Sequence, residues 1–178
     1  KVFGFWDGGK NWRVRFSPDL PGRWTFATSC SDESNAGLEN QTGSFVCTAP
    51  LNKTALDRHG PVRVARDRRH FEHADGRPFL WLGDSADDAA RRSDSNDWQL
   101  YASIRAQQRF TAAHWIVAPG LDARGETAFT ATNGLAINVN FFQRLDEKVD
   151  ALNRAGLLSA IVPLQEFGPV TNALPEDQ

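Results

Sequence analysis

The feature that most constrains this sequence is a change of hydrophobic periodicity near residue 60. Before it, short runs of alternating apolar and polar residues are separated by turn residues, as in Trp24–Thr28 and Gly43–Cys47. After it, continuous apolar runs are separated by segments whose apolar residues recur every three or four positions. Because these two patterns specify different layers, we predict an all-β part at residues 1–60 and an α/β part at residues 61–178.

Period-two alternation with frequent Pro and Gly is typical of a small antiparallel β-sandwich. We predict this architecture for the first part and expect Trp6, Trp12 and Trp24 to pack in its core. The sequence contains no Met and begins directly on a predicted strand, so we expect it to be a piece of a longer protein.

The two cysteines, Cys30 and Cys47, lie near two neighbouring predicted strands. If Thr28 pairs with Phe45, Cys47 lies opposite Phe26 and Cys30 is displaced by roughly 13 Å along its strand. That separation exceeds the roughly 7 Å limit for a disulfide. We therefore predict two free thiols.

The second part contains three apolar runs separated by two helical patterns. The runs are Pro78–Leu82, Ala112–Val117 and Leu157–Val162. Asp94 is placed to cap the first helix, and Gly156 is placed to end the second. The order β-α-β-α-β predicts right-handed parallel crossovers, in either a barrel or a doubly wound sheet.

Composition argues against polyanionic and membrane partners. The chain has 20 Lys+Arg against 22 Asp+Glu, a net charge of −2. The locally basic segment 58–70 is interrupted by Asp67, and we interpret it as a solvated connection rather than a nucleic-acid surface. No apolar run approaches the roughly 18 residues that a membrane-spanning helix needs, so we predict no membrane insertion.

Acidic residues follow each predicted parallel strand, where α/β proteins collect their active sites. Asp84 follows the first strand, Asp122 lies in the long segment after the second, and Glu166 follows the third. Paired carboxylates at such a rim are what glycoside hydrolysis requires. Alternatives stay open, since Asp84 could cap a helix or pair with a nearby arginine, and Asp122 could belong to an exposed charge cluster.

Aromatic and imidazole groups give weaker signals. His114 lies inside an apolar strand, where either a hydrogen-bonded core histidine or a ligand contact is expected, and Trp115 beside it is a candidate sugar contact. His70 and His73 face opposite sides if they lie on a strand, so we predict no metal site. Nucleophile-elbow, P-loop and complete dinucleotide motifs are absent from the sequence, and we predict no cofactor.

Two groups of motifs resemble known families. Phe5–Gly9, Trp12–Pro18 and Pro21–Phe26 resemble the immunoglobulin-like DUF5060 domain that precedes certain bacterial glycoside hydrolases. His70–Ala86 is similar to the opening strand of the DUF4038, apiosidase-like (β/α)₈ domain, which commonly has a Gly-Asp-Thr-Ala-Trp motif. The fold class that this implies is an Ig-like β-sandwich, lacking its first strands, followed by the first three βα units of an incomplete TIM barrel.

The sequence departs from that motif at two positions. Ser85 replaces Thr, and Asp87 stands where the motif has Trp, which removes an aromatic side chain that would help to wall the site. The resemblance also implies a barrel of eight strands, of which this chain supplies about three. The catalytic acidic pair is then expected outside these residues.

The resemblance predicts the N-terminal part of a bacterial glycoside hydrolase that acts on a plant or microbial polysaccharide or oligosaccharide. The predicted partner is a carbohydrate substrate, and this fragment is expected to be inactive alone. The predicted substrate-binding residues are Asp84, His114, Trp115, Asp122 and Glu166. The alternative is a non-catalytic carbohydrate-binding or adhesion module. Bacterial cytoplasm, periplasm and the extracellular space are all compatible with the sequence.

Overall fold

The structure is a computed structural model that describes residues 1–18, 20–48, 54–130 and 136–164. Two compact units form, residues 1–51 and residues 52–178. The domain boundary that we predict at residue 60 stays a prediction.

Antiparallel hairpins make up the first unit. Its strands are β1 (Phe5–Trp6), β2 (Trp12–Arg13), β3 (Gly22–Ala27) and β4 (Thr42–Cys47). Strand β1 pairs with β2, and β3 pairs with β4, both antiparallel. The antiparallel pairing predicted from the alternating runs is confirmed, while a complete sandwich stays a prediction.

Large apolar side chains of the first unit remain exposed. Trp6 is 47% exposed and Trp12 is 53% exposed, so the prediction that both pack in a core is wrong. Among the described residues of this unit, Asp7 alone is buried. Two-stranded hairpins have an apolar face that needs a second layer to cover it, which is the physical reason for this exposure.

The register of β3 and β4 differs from the prediction by four residues. Phe45 lies opposite Trp24 rather than opposite Thr28. Thr28 instead donates its backbone N–H to the carbonyl of Gln41, at 2.8 Å, inside the connection between the strands. Both cysteines are free, as predicted.

The second unit begins with a short helix and an antiparallel meander. These elements are α1 (Ala55–His59), β5 (Val62–Val64), β6 (Phe71–His73) and β7 (Pro78–Phe79). The strand order is β5-β6-β7. Two histidines link the end of α1 to this sheet. Nδ1 of His73 lies 3.0 Å from the carbonyl oxygen of Gly60. Nδ1 of His59 lies 2.8 Å from Oδ2 of Asp75.

The first parallel strand begins later than predicted. The apolar run at 78–82 contributes only its first two residues to β7, and Leu80 is 75% exposed. The parallel strand β8 is Gly83–Asp87. The prediction of a buried strand at 78–82 is therefore wrong, because the run pairs with β6 at its start and then connects the meander to β8.

The remaining elements follow the predicted β-α-β-α-β order. They are α2 (Ala89–Arg92), α3 (Ser95–Gln107), β9 (Ala112–Ala118), β10 (Phe129–Thr130), β11 (Ala136–Ile137), α4 (Val139–Ala155) and β12 (Leu158–Leu164). Strands β8, β9 and β12 form one sheet in the order β12-β9-β8, and both pairings are parallel. The short strands β10 and β11 form an antiparallel hairpin before α4.

Sequence signals for the helix ends hold in the structure. The Asp94 side chain accepts from the backbone N–H of Asp97 and caps α3. Asn138 caps α4 in the same way, and Gly156 ends it in the left-handed conformation with φ 82°. No described helix is long and apolar enough to cross a membrane.

Both long helices pack on one face of the parallel sheet. Trp98 from α3 and Leu152 from α4 are fully buried against Trp115 of β9. Side chains alternate along a strand, so His114 and Ile116 point to the opposite face. We call that opposite face the far face and define it by Ser85, His114, Ile116, Ala160 and Val162, which are linked by the strand register.

The outer strands of the parallel sheet lead to a prediction about self-association of this polypeptide. We expect the polypeptide of residues 1–178 to self-associate, because β8 and β12 are the outer strands of the parallel sheet among the described residues and Ile161 is 42% exposed. Sedimentation velocity over a range of concentrations should show oligomers, and Ile161→Lys should shift the population toward monomer. Leu100→Lys, on exposed helix surface, is the matched control. A wild-type monomer at every concentration would contradict this expectation.

Candidate functional site

The candidate site lies at the carboxyl ends of the three parallel strands. Strand β8 ends at Asp87, β9 at Ala118 and β12 at Leu164. The loop after β9 leads through a cis Ala118–Pro119 bond into the segment that contains Asp122. Glu166 follows β12 and lies outside the described residues, so its assignment stays a prediction.

Asp84 points toward the helix layer rather than toward the far face. Its Oδ2 accepts hydrogen bonds from the hydroxyl of Tyr101, at 2.8 Å, and from Nε of Arg105, at 2.7 Å. Burial alone would raise the pKa of Asp84, but these two partners outweigh it and lower that pKa below its ordinary value. Burial and the same hydrogen bond raise the pKa of Tyr101 to about 12. These hydrogen bonds link β8 to α3. They argue against a substrate-binding role for Asp84, and that role stays untested.

Trp115 is also on the helix side. It is 1% exposed, and its ring lies 6.3 Å from that of Trp98 in an edge-on contact. A sugar ring stacks on an exposed aromatic face, and Trp115 offers none in this position. Its assignment as a sugar contact stays a prediction, and its burial argues against it.

His114 is the predicted residue that reaches the far face. It is partly buried, and its Cα partners in the sheet are Ser85 on β8 and Ala160 on β12. Residues paired in this way in a parallel sheet point to the same side. The structure therefore brings His114 together with Ser85, while Asp84 and Trp115 lie on the other side of the sheet.

Asp122 organises the loop after β9. One of its oxygens, Oδ1, accepts the backbone N–H groups of Arg124 and Glu126, at 2.8 and 2.9 Å. The other, Oδ2, accepts Nε and Nη2 of Arg144 on α4, at 2.9 and 2.5 Å. The Asp122 side chain is only 7% exposed. Burial alone would raise its pKa, but these hydrogen bonds outweigh that effect and lower it.

Arg144 joins a second carboxylate to the same loop. Its Nη2 also lies 2.6 Å from Oε2 of Glu126, and Asn138 donates to that oxygen at 3.1 Å. The Arg144 guanidinium is the main cause that lowers the pKa of Glu126. One guanidinium on α4 thus holds both carboxylates of the loop, which favours a structural role for Asp122 and leaves its predicted substrate contact untested.

Arg91 fixes the beginning of the same loop. It is buried, and its Nη1 donates to the carbonyl of Leu121. Gly120 has φ 128° and lies directly against the guanidinium, so any Cβ at that position would collide with Arg91. The sequence left open a pairing of Asp84 with Arg91 or Arg92, and the carboxylate neighbour of Arg91 in the structure is Asp88, at 3.4 Å.

The functional partners that sequence reasoning missed are all on helices. Tyr101 and Arg105 are one helical turn apart, a spacing that puts both on the same side of α3. That spacing was available as a signal, although the carboxylate they share was not. Arg144 is one of many polar positions in α4, and nothing in the sequence links it to Asp122. Among the described residues, no group of three or more His, Cys, Asp or Glu is placed to hold a metal ion.

A pH dependence follows from Asp84. Its folded-state pKa is lowered, so its contribution to stability is full above the pKa of the unfolded carboxyl group and is lost as the pH falls through the folded value. Asp84→Asn should lower the free energy of unfolding by about 1 kcal/mol near neutral pH and by less at about pH 2.5. Urea denaturation at both pH values measures this, with Asp150→Asn as an exposed control. Equal losses at both pH values would rule out the ion pair as the cause.

Arg144 generates a second prediction. Arg144→Ala leaves the buried Asp122 carboxylate without its cation and should lower the free energy of unfolding by about 2 kcal/mol. Hydrogen exchange at the amides of Arg124 and Glu126 should become faster, because their acceptor loses its anchor. Arg124→Ala, which removes an exposed side chain of the same loop, should leave both readouts nearly unchanged. Equal effects of the two variants would contradict the assigned role of Arg144.

Comparison with known structures gives the fold context. Two similar solved structures are named "Glycoside hydrolase" and a glycoside hydrolase family 5 protein from Bacteroides vulgatus. Both are 18% identical to this chain over 60% of its length, with TM-scores of 0.53 and 0.51. The match covers 26% and 25% of those two chains, so this chain spans about a quarter of their length. At this identity the likeness shows a shared fold.

Comparison with family models confirms both resemblances stated from the motifs. Residues 1–31 match the model of DUF5060, a domain of unknown function. Residues 65–174 match the model of the apiosidase-like catalytic domain. No curated protein matches the chain. Because the second model covers more than half of the residues, the chain belongs to the apiosidase-like family.

Proposed function

We propose that this chain forms the N-terminal part of a glycoside hydrolase whose substrate is a plant or microbial polysaccharide or oligosaccharide. The observation that supports this most is the parallel sheet β8-β9-β12 with α3 and α4 packed on one face only. A doubly wound sheet has helices on both faces, whereas a barrel has them all outside. The far face then becomes the interior of a (β/α)₈ barrel, of which this chain supplies the first three βα units.

The first unit supplies the other part of the proposed architecture. Its antiparallel hairpins and its match to DUF5060 support an Ig-like β-sandwich that needs further strands to cover its exposed apolar side chains. We place the domain limits at residues 1–60 and 61–178, as predicted from the change of periodicity.

Catalysis in the proposed enzyme uses two carboxylates. One donates a proton to the departing glycosidic oxygen, and the other acts as nucleophile or base, through an oxocarbenium-like transition state. The charged carboxylates Asp84 and Asp122 are each paired with an arginine, which suits positioning rather than proton transfer. We place the catalytic pair outside this chain and assign sugar contact to His114, with Glu166 as a further candidate.

The exposure of Trp6 and Trp12 favours a second candidate, a non-catalytic carbohydrate-binding or adhesion module. Exposed tryptophan faces can stack on sugar rings. In that case the first unit binds the glycan and the α/β unit performs no hydrolysis.

The test is hydrolysis by the full-length natural protein. We expect it to release aryl groups from at least one member of an aryl glycoside panel and reducing sugar from a plant or microbial polysaccharide. The polypeptide of residues 1–178 should release neither. Full-length protein that binds glycans and hydrolyses none of them would support the binding module, and hydrolysis by residues 1–178 alone would overturn the placement of the catalytic pair.

A further inference from the structure

Ser85 and Asp87 form a polar pair at the carboxyl end of β8. The hydroxyl of Ser85 donates to Oδ1 of Asp87, at 2.8 Å, and both residues are exposed. Their neighbours Asp84 and Ala86 pack against the helix layer, so the alternation of the strand turns Ser85 to the far face. The hydrogen bond places the Asp87 carboxylate on the same side as Ser85.

The backbone at Asp87 is held in an uncommon conformation. Its φ is 43°, in the left-handed region, and the pairing of β8 with β9 shifts register between Ser85 and Asp87. Non-glycine residues seldom adopt this region, and Asp and Asn tolerate it better than most. An irregularity of this kind re-aims a side chain at a strand end. Here it directs the carboxylate beside Ser85.

His114 completes the group from the neighbouring strand. It is the Cα partner of Ser85, and the next strand contributes the small side chain of Ala160 at the same level. Three different polar groups thus lie together, namely a hydroxyl, a carboxylate and an imidazole. Between them they can donate and accept hydrogen bonds with several hydroxyl groups of one ligand.

We propose that Ser85, Asp87 and His114 form a subsite for a neutral sugar residue, and that Asp87 excludes uronic acids from it. The inference rests on the proposed function and names its substrate class. A carboxylate accepts hydrogen bonds from sugar hydroxyls, whereas it repels the carboxylate of a uronic acid. The nearby Asp88 does not share this role, because it faces Arg91 and Arg92, at 3.4 Å each.

The experiment compares sugar pairs that differ only at C6. The probes are glucoside and glucuronide, and galactoside and galacturonide, each as a hydrolysable aryl glycoside and as a non-hydrolysable thioglycoside. Full-length wild type, Asp87→Asn and Asp87→Ala are compared, with Asp150→Asn on the exposed surface of α4 as the matched control. Asn has nearly the same volume as Asp and tolerates the left-handed backbone, so Asp87→Asn preserves the fold. Circular dichroism and thermal melts check this for each variant.

We expect wild type to bind the neutral thioglycoside of at least one pair more tightly than the uronide. Both Asp87 variants should weaken binding of the neutral thioglycoside on the order of tenfold. For the aryl glycoside of the same sugar, KM should rise by a similar factor, with little change in kcat. The ratio of the affinity for the neutral sugar to the affinity for the uronide should also be smaller in both variants than in wild type. A structural role alone would not change that ratio, and Asp150→Asn should behave as wild type.

Two failures are distinguishable. If no aryl glycoside is hydrolysed, the proposed function fails, and thioglycoside binding still tests the subsite. If wild type prefers the uronide, binds neither sugar of either pair, or keeps the same affinities and discrimination in both folded Asp87 variants, the inference is overturned even when hydrolysis is intact.

Discussion

The α/β unit depends on the burial of β9 between two neighbouring strands and beneath two helices. Trp115 at its centre meets Trp98 of α3, and Nε1 of Trp98 donates to the carbonyl of Lys148 on α4, at 3.0 Å. One tryptophan therefore joins both helices to the sheet. Truncation of a buried aromatic of this size typically costs about 3–5 kcal/mol. This contact fixes which face of the sheet belongs to the helices and which face is left for other groups.

Polar groups that enter the helix layer need hydrogen-bond partners there. Lys148 is buried, and its Nζ donates to the carbonyls of Ser93 and Asp94, at 2.9 and 2.7 Å. Burial lowers its pKa and outweighs the nearby carboxylates, which would raise it. Asp84 meets the same requirement through Arg105 and Tyr101. Charged residues of this layer thus serve packing, and the groups suited to a ligand are those on the far face.

Much of the fold could be predicted from the sequence because its signals are local. The cap at Asp94, the left-handed stop at Gly156 and the apolar run of β9 each specify an element from a few neighbouring residues. The register of β3 with β4 was not predictable in this way. It depends on how the long connection folds, where Thr28 pairs with Gln41, and the alternating pattern is compatible with several registers.

The candidate site was harder to predict, because a strand-end rule selects an edge of a sheet and not a face. With the first strand placed at 78–82, Asp84 is the first polar side chain beyond it. With the strand at 83–87, Asp84 lies inside it and points to the helices, while Ser85 and Asp87 point away from them. Successive side chains of a strand point to opposite faces of the sheet. An error of a few residues in the limits of one strand therefore selects residues of the helix side as ligand contacts and misses the residues of the far face. The strand that contains His114 was predicted correctly, so the prediction for His114 does not carry that error. His114 is therefore the predicted site residue that lies on the far face.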